Sequence, residues 1–119
     1  MDTETLRTFC LSFEDVTEGF PFGTNTLVFK VAHKIFLLAS LDEQPLRINI
    51  KCQPEKAIEL RETYEAIIPG YHMNKKHWNT ILLDGSLKRQ QVEAMIRDSY
   101  DLVSTSLPKK SRKNHQPNK

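Results

Sequence analysis

The chain has 119 residues, of which 39% are hydrophobic and 27% charged, enough for one soluble domain with an ordinary core that needs no disulfide or structural metal. The formal net charge of +2 hides an asymmetry: residues 1–108 hold all fifteen acids and twelve Lys/Arg, whereas residues 109–119 hold five Lys/Arg and no acid. A domain at −3 with a basic arm counts against a broadly basic nucleic-acid face and leaves room for a local patch.

The first expected element is a helix over residues 3–13. Thr3 is placed to cap it, and Leu6, Phe9, Cys10 and Phe13 follow the i, i+3, i+4, i+7 stripe. Residues 14–26 read as a loop through Gly19, Pro21 and Gly23, with Phe20 and Phe22 expected to pin it to the core; lining a pocket is their alternative role. Residues 27–32 and 35–40 alternate as the strands of a hairpin, although its turn at His33 and Lys34 has no glycine. A turn through Asp42 and Pro45 leads to a strand at 46–52. There Leu46, Ile48, Ile50 and Cys52 face one way, and Arg47, Asn49 and Lys51 the other.

Pro54 suits the first turn of a second helix reaching about Glu65, with Ala57, Leu60 and Tyr64 inward. A short strand at Ile67 and Ile68 and a last strand at 78–83 follow. Ser86 is expected to cap a long helix to about Leu107, with Val92, Met95, Ile96, Ser99 and Val103 on its buried stripe. Adjacent hairpins with terminal helices imply an α+β fold, an antiparallel sheet with helices on one side. The domain spans 1–108, and 109–119 form a basic tail expected to be disordered.

Chemistry-bearing motifs are few. The four glycines are too dispersed for a nucleotide loop. Cys10 and Cys52 sit on apolar faces and are expected to be buried thiols, neither bridged nor nucleophilic. His72 and His77 lack zinc-site spacing, Glu14, Asp15 and Glu18 read as a solvated cluster, and no carboxylate pair stands out for acid–base work. The expectation is therefore no enzyme, no metal and no cofactor.

What remains is the stretch from Pro69 to Thr80, with two histidines, two lysines, two asparagines, a tyrosine and the single tryptophan. Lys75 and Lys76 suit phosphates, and His72, Asn74, His77 and Asn79 can supply hydrogen bonds. Tyr71 and Trp78 are expected to hold the loop against the sheet, with Trp78 at least half buried. Lys30, Lys34, Arg47 and Lys51 on nearby strands extend the patch. The bland alternative is a surface loop with solvated lysines.

The run Pro69-Gly70-Tyr71-His72-Met73-Asn74-Lys75-Lys76-His77-Trp78-Asn79-Thr80, with Leu83-Asp84-Gly85-Ser86-Leu87 and Ser99-Tyr100-Asp101-Leu102-Val103 downstream, resembles the signature of the MmcQ/YjbR family of small bacterial proteins. The resemblance covers about residues 1–108. It implies a CyaY-like (frataxin-like) fold and DNA binding, with His72, Asn74, Lys75, His77 and Trp78 at the matching positions. Lys88 departs from the pattern, in which a proline often opens the last helix. Fold likeness to frataxin does not carry iron binding across, since the first helix has only Glu4 as an acid.

The sequence thus points first to a non-enzymatic, cytoplasmic, monomeric protein that contacts DNA through His72, Asn74, Lys75, Lys76, His77, Trp78, Lys51 and Lys30. The alternative is a protein- or small-ligand-binding module without DNA affinity, which the acidic balance of residues 1–108 favours. No membrane association is expected: no apolar run approaches the ~20 residues of a span, and the acidic, polar N-terminus is unlike a signal peptide.

Overall fold

The computed structural model describes residues 1–70 and 73–107. Its elements run α1 (Thr3–Leu11), β1 (Val16–Gly19), β2 (Thr26–Val31), β3 (Lys34–Ser40), β4 (Arg47–Lys51), α2 (Pro54–Thr63), β5 (Ile67–Pro69), β6 (Trp78–Leu82) and α3 (Arg89–Thr105). The strands form one sheet in the order β1-β2-β3-β4-β6-β5, with every neighbouring pair antiparallel. The α+β reading of the sequence is what the structure shows.

Alternation along the strands divides the sheet into two faces. One carries Leu27, Phe29, Leu37, Ala39, Ile48, Ile50, Ile67 and Ile81, all buried in one core with Leu6 and Cys10 of α1, Ala57 of α2 and the α3 stripe. All the helices therefore lie on this face. Among the described residues, no helix lies over the other face.

Several boundaries differ from those expected. β1 lies inside the segment expected to be a loop. It is a four-residue edge strand with little apolar alternation, and its pairing with β2 fixes it, Val16 opposite Val31 and Gly19 opposite Val28. Glu18 on β1 is not simply solvated: its carboxylate meets the Arg7 guanidinium of α1 through two bonds of 2.8 and 2.5 Å. Asp2, not Thr3, caps α1, with Oδ1 accepting from the Thr5 N–H at 2.8 Å. Ala32 takes the left-handed conformation that the hairpin turn needs (φ 58°), and its N–H donates to the Asp15 carbonyl at 2.9 Å.

Ser86 does not cap α3. Its N–H and hydroxyl both donate to Asp84 Oδ1, closing a local turn, and α3 starts at Arg89 after the N-cap Lys88. The Gln91 side-chain oxygen accepts from the Lys88 N–H at 2.8 Å, which is the reaching-back half of a capping box.

A buried hydroxyl joins α3 to the sheet. The β2–β3 register shifts after Phe29, so Phe36 is the extra residue of a bulge. The β3–β4 ladder runs only as far as Leu37 opposite Ile50, which leaves the Phe36 carbonyl and the Lys51 N–H outside it. Ser99 Oγ donates to Phe36 O at 2.6 Å and accepts from Lys51 N at 2.8 Å, with the side chain fully buried. Beside it, Tyr100 packs against Phe13 and Phe36, with ring centroids 4.6 and 5.4 Å apart, and donates its hydroxyl to Glu14 O at 2.7 Å.

Ser99→Ala leaves the buried Phe36 carbonyl and the partly buried Lys51 N–H without this partner and should destabilise the fold by about 2–3 kcal/mol. Urea denaturation checks this, and a loss under about 0.5 kcal/mol would mean that the bridge is not structural. The Arg7–Glu18 pair generates a pH dependence. Hydrogen bonding to Arg7, the largest cause, holds the Glu18 carboxyl below its ordinary value. A lowered folded-state pKa gives stability that is present above the ordinary glutamate range and lost as pH falls through the folded value. Parent and Glu18→Gln should differ by about 1 kcal/mol or less at neutral pH, because the pair is partly exposed, and should converge in acid. A gap that stays constant down to strongly acidic pH would contradict the assignment.

Candidate functional site

The loop that the sequence singles out is tied down largely by its own backbone and by α2. Asn74 Oδ1 accepts from the Lys76 N–H at 2.9 Å, and Asn74 O accepts from the N–H groups of His77 and Trp78. Arg61 of α2 donates from Nη1 to Lys75 O at 2.8 Å and to Asn79 Oδ1 at 3.3 Å. From its sequence position Asn79 is a candidate for hydrogen bonds to a ligand. It is fully buried instead, on the helix side of β6, with Nδ2 donating to Ala57 O at 3.2 Å. Gly70 allows the chain to pass Trp78: a Cβ at residue 70 would lie 2.9 Å from both Trp78 Cβ and Trp78 O.

Of the residues named from the sequence, Lys75 and Lys76 are exposed, His77 and Trp78 are half-buried, and Asn74 spends its side-chain oxygen on the loop's own turn. Tyr71, His72 and the tail from residue 108 onward lie outside the described residues. Lys30 and Lys51 fall on the open face. The register puts Lys30 opposite Thr17 and Ile35, and Lys51 opposite Trp78, at the end of the sheet where this loop lies. Lys51, last in β4, also borders a groove between α2 and α3.

The rest of the open face was not assembled from the sequence. Gly19, Val28, Leu38, Asn49, Thr80 and Ile68 stand opposite one another across all six strands. Thr26, Ser40, Arg47 and Leu82 make the next row. Val28, Leu38 and Thr80 are buried although no helix covers them. Loops supply the cover. Phe20 and Pro21 lie by Val28 and Lys30, while Phe22 and Met73 border a second recess over Leu38.

That second recess is a groove of about 330 Å³. Its floor is Thr26, Leu38, Ser40, Arg47, Asn49 and Thr80, and Glu43 joins Phe22 and Met73 at its border. Phe20 and Phe22 are 49% and 65% exposed, so they are not the core anchors expected of them. Their loop crosses the open face, where no second layer among the described residues buries them, and the pocket-lining alternative describes both.

The polar groups of the groove are specific. Thr80 Oγ1 donates to Asn49 Oδ1, which fixes the Asn49 amide and leaves its nitrogen as a donor for another group. Arg47 Nε is buried and lacks a hydrogen-bond partner among the described residues. Its ion-pair partner, Glu43 Oε1, is 3.7 Å away, beyond hydrogen-bond range. Charge is also sorted between the layers. The strands carry four basic residues and one acid, Glu18, which is bound to Arg7, whereas the helices carry seven acids and five basic residues.

The groove between α2 and α3, about 390 Å³, is walled by Leu60, Met95 and Leu102, with Lys51 and Lys56 balancing Asp98 and Asp101. Burial pushes the Cys10 thiol up to about 12 and the Cys52 thiol up to about 11, so neither is a thiolate at neutral pH. Among the described residues there is no group of three or more His, Cys, Asp or Glu placed to hold a metal, and no helix is long and apolar enough to cross a membrane.

The signal for the groove was present in part. The alternation of β4 already set Arg47 and Asn49 on a polar face, but their meeting with Ser40 and Thr80 depends on cross-strand register. Comparison with known proteins supplies the lineage. The YjbR family model matches residues 11–102. The chain is 36% identical over 114 residues to the Escherichia coli O157:H7 protein YbdF, covering 96% of this chain and 93% of that one. It is 28% identical over 113 residues to Escherichia coli K12 YjbR, covering 95% and 96%. Both are described as uncharacterised. A Deinococcus radiodurans crystal structure with a DUF419 domain superposes with a TM-score of 0.88 at 38% identity, covering 93% of this chain and 85% of that one. A Pseudomonas syringae crystal structure superposes at 0.75 with 27% identity, covering 87% and 99%. The α+β sheet, the signature around Trp78 and these matches agree: the chain belongs to the YjbR family.

Proposed function

We propose that this protein is a non-enzymatic binding module whose recognition surface is the helix-free face of its sheet, and that it takes a small ligand there. The observation that carries the reading is the groove over Leu38. It combines convergent polar groups on its floor with apolar surface from Leu38, Phe22 and Met73, in the size range typical of small-molecule sites. Four strands carry its floor, and Phe22, Glu43 and Met73 from three connections form its rim. Its hydroxyls, on Thr26, Ser40 and Thr80, have no histidine or cysteine beside them in the lining, and no metal-holding cluster is present among the described residues.

DNA contact is the second reading. It is favoured by one observation, the placement of Lys30 and Lys51 on the open face at the end where Lys75 and Lys76 are exposed. It ranks second because the domain as a whole is acidic, Asn74 is committed to its own loop and Trp78 is half-buried. Stacking on a base needs an exposed ring.

Two measurements separate the readings. In fluorescence anisotropy on duplex DNA at several salt concentrations, the ligand reading expects a Lys75→Ala/Lys76→Ala variant to bind within about twofold of the parent, because any attraction is then diffuse and comes largely from the basic tail. A loss of tenfold or more would favour DNA contact through the loop. In a thermal-shift screen against small metabolites, a true ligand should raise Tm by several degrees at about 100 times its Kd. Ser40→Phe, which fills the groove from its floor, should abolish that shift. A shift that survives Ser40→Phe would place the site elsewhere.

A further inference from the structure

We propose that the groove on the open face is a carboxylate-binding site, in which Arg47 takes the anionic group of a small ligand and Leu38, Phe22 and Met73 take its apolar body. This deepens the small-ligand reading and rests on it.

The place of Arg47 on β4, opposite Ser40 and Leu82, fixes its backbone in the middle of the sheet. The side chain is 36% exposed, yet its Nε is shut off from water and has no hydrogen-bond partner among the described residues. A buried guanidinium N–H left unpaired is costly, and such groups are normally satisfied. Glu43 is too far to satisfy it at 3.7 Å, and it comes from the β3–β4 connection rather than from a strand. Arg47 is thus neutralised at a distance but not bonded. Nε itself is closed off, but the exposed remainder of the guanidinium can meet a carboxylate with two parallel hydrogen bonds, which the Glu43 geometry does not provide.

The neighbouring groups fit the same ligand. The Asn49 amide nitrogen is oriented as a donor by the Thr80 hydroxyl, and the Thr26 and Ser40 hydroxyls line the same groove. Among the described residues, Arg47 is the only cation bordering the groove, and Glu43 the only acid. One cation matches a monoanion such as a carboxylate better than a phosphate dianion, which would meet the Glu43 charge with a single compensating arginine. The apolar border sets the rest of the ligand: Phe22, Met73 and Leu38 offer surface for an aromatic or aliphatic body a few carbons across.

The test is ¹H–¹⁵N NMR titration of the full chain with benzoate, benzamide and phenyl phosphate. Benzoate should shift the amides of Ser40, Arg47, Asn49 and Thr80 and the Arg47 Nε–H, and bind at least tenfold tighter than benzamide or phenyl phosphate. Arg47→Gln should weaken benzoate at least tenfold, Arg47→Lys should retain part of the affinity, and Lys75→Ala should change nothing. Benzamide binding in the groove as well as benzoate would overturn the carboxylate assignment and leave the small-ligand reading standing. Phenyl phosphate binding more tightly there would replace the carboxylate with a phosphate. Benzoate shifts confined to Lys75, Lys76 or the α2–α3 groove, or undiminished in Arg47→Gln, would overturn the inference. Failure of all three probes to shift any open-face amide would count against both.

Discussion

Everything distinctive about this molecule follows from a one-sided layering. The helices pack on one face of a six-stranded sheet and bury its aliphatic residues, and among the described residues no second layer covers the other face. An uncovered antiparallel face must be polar, or be shielded by whatever the connections provide. This chain does both. Thr26, Ser40, Arg47, Asn49 and Thr80 make the middle of the face polar, while the Phe20–Phe22 and Met73 segments shield Val28 and Leu38. A concave, mixed surface held by rigid strands is the result.

Buried polar bridges keep that surface in register. Ser99 closes the gap that the β3 bulge opens between Phe36 and Lys51, and so couples α3 to the strands carrying Leu38 and Asn49. Asn79 does the corresponding work for β6: it reaches Ala57 O in α2, and Arg61 links it to the backbone of Lys75. The loop that ends at Trp78 is therefore positioned from the helix side, while Met73 borders the groove on the other. A loop anchored this way can wall a site without its lysines being the site.

The elements were largely legible because their patterns are local. The stripe of α3, the alternation of β4 and Pro54 at the start of α2 each announce an element within a few residues. β1 was not legible, because Val16–Gly19 owes its strand conformation to pairing with β2 and to the Arg7–Glu18 contact. The start of α3 was misplaced because Ser86 spends its hydroxyl on Asp84. Asn79 looked like a surface donor beside two lysines. Which face of β6 it takes is set by the pairing of Ile50 with Asn79, a fact about the sheet and not about the loop. The groove was hidden for the same reason: its six floor residues come from four strands and become neighbours only through register.

The central claim is that recognition belongs to the open face of the sheet, between the Phe22 and Met73 loops, and not to the helix side or to the loop lysines. Crystals soaked with a diverse set of small organic fragments test it most directly, since such fragments collect where a surface is built to hold a ligand. The account predicts that they cluster over Leu38 within reach of Arg47 and Asn49. Fragments gathered in the groove between α2 and α3, with the open face bare, would contradict it.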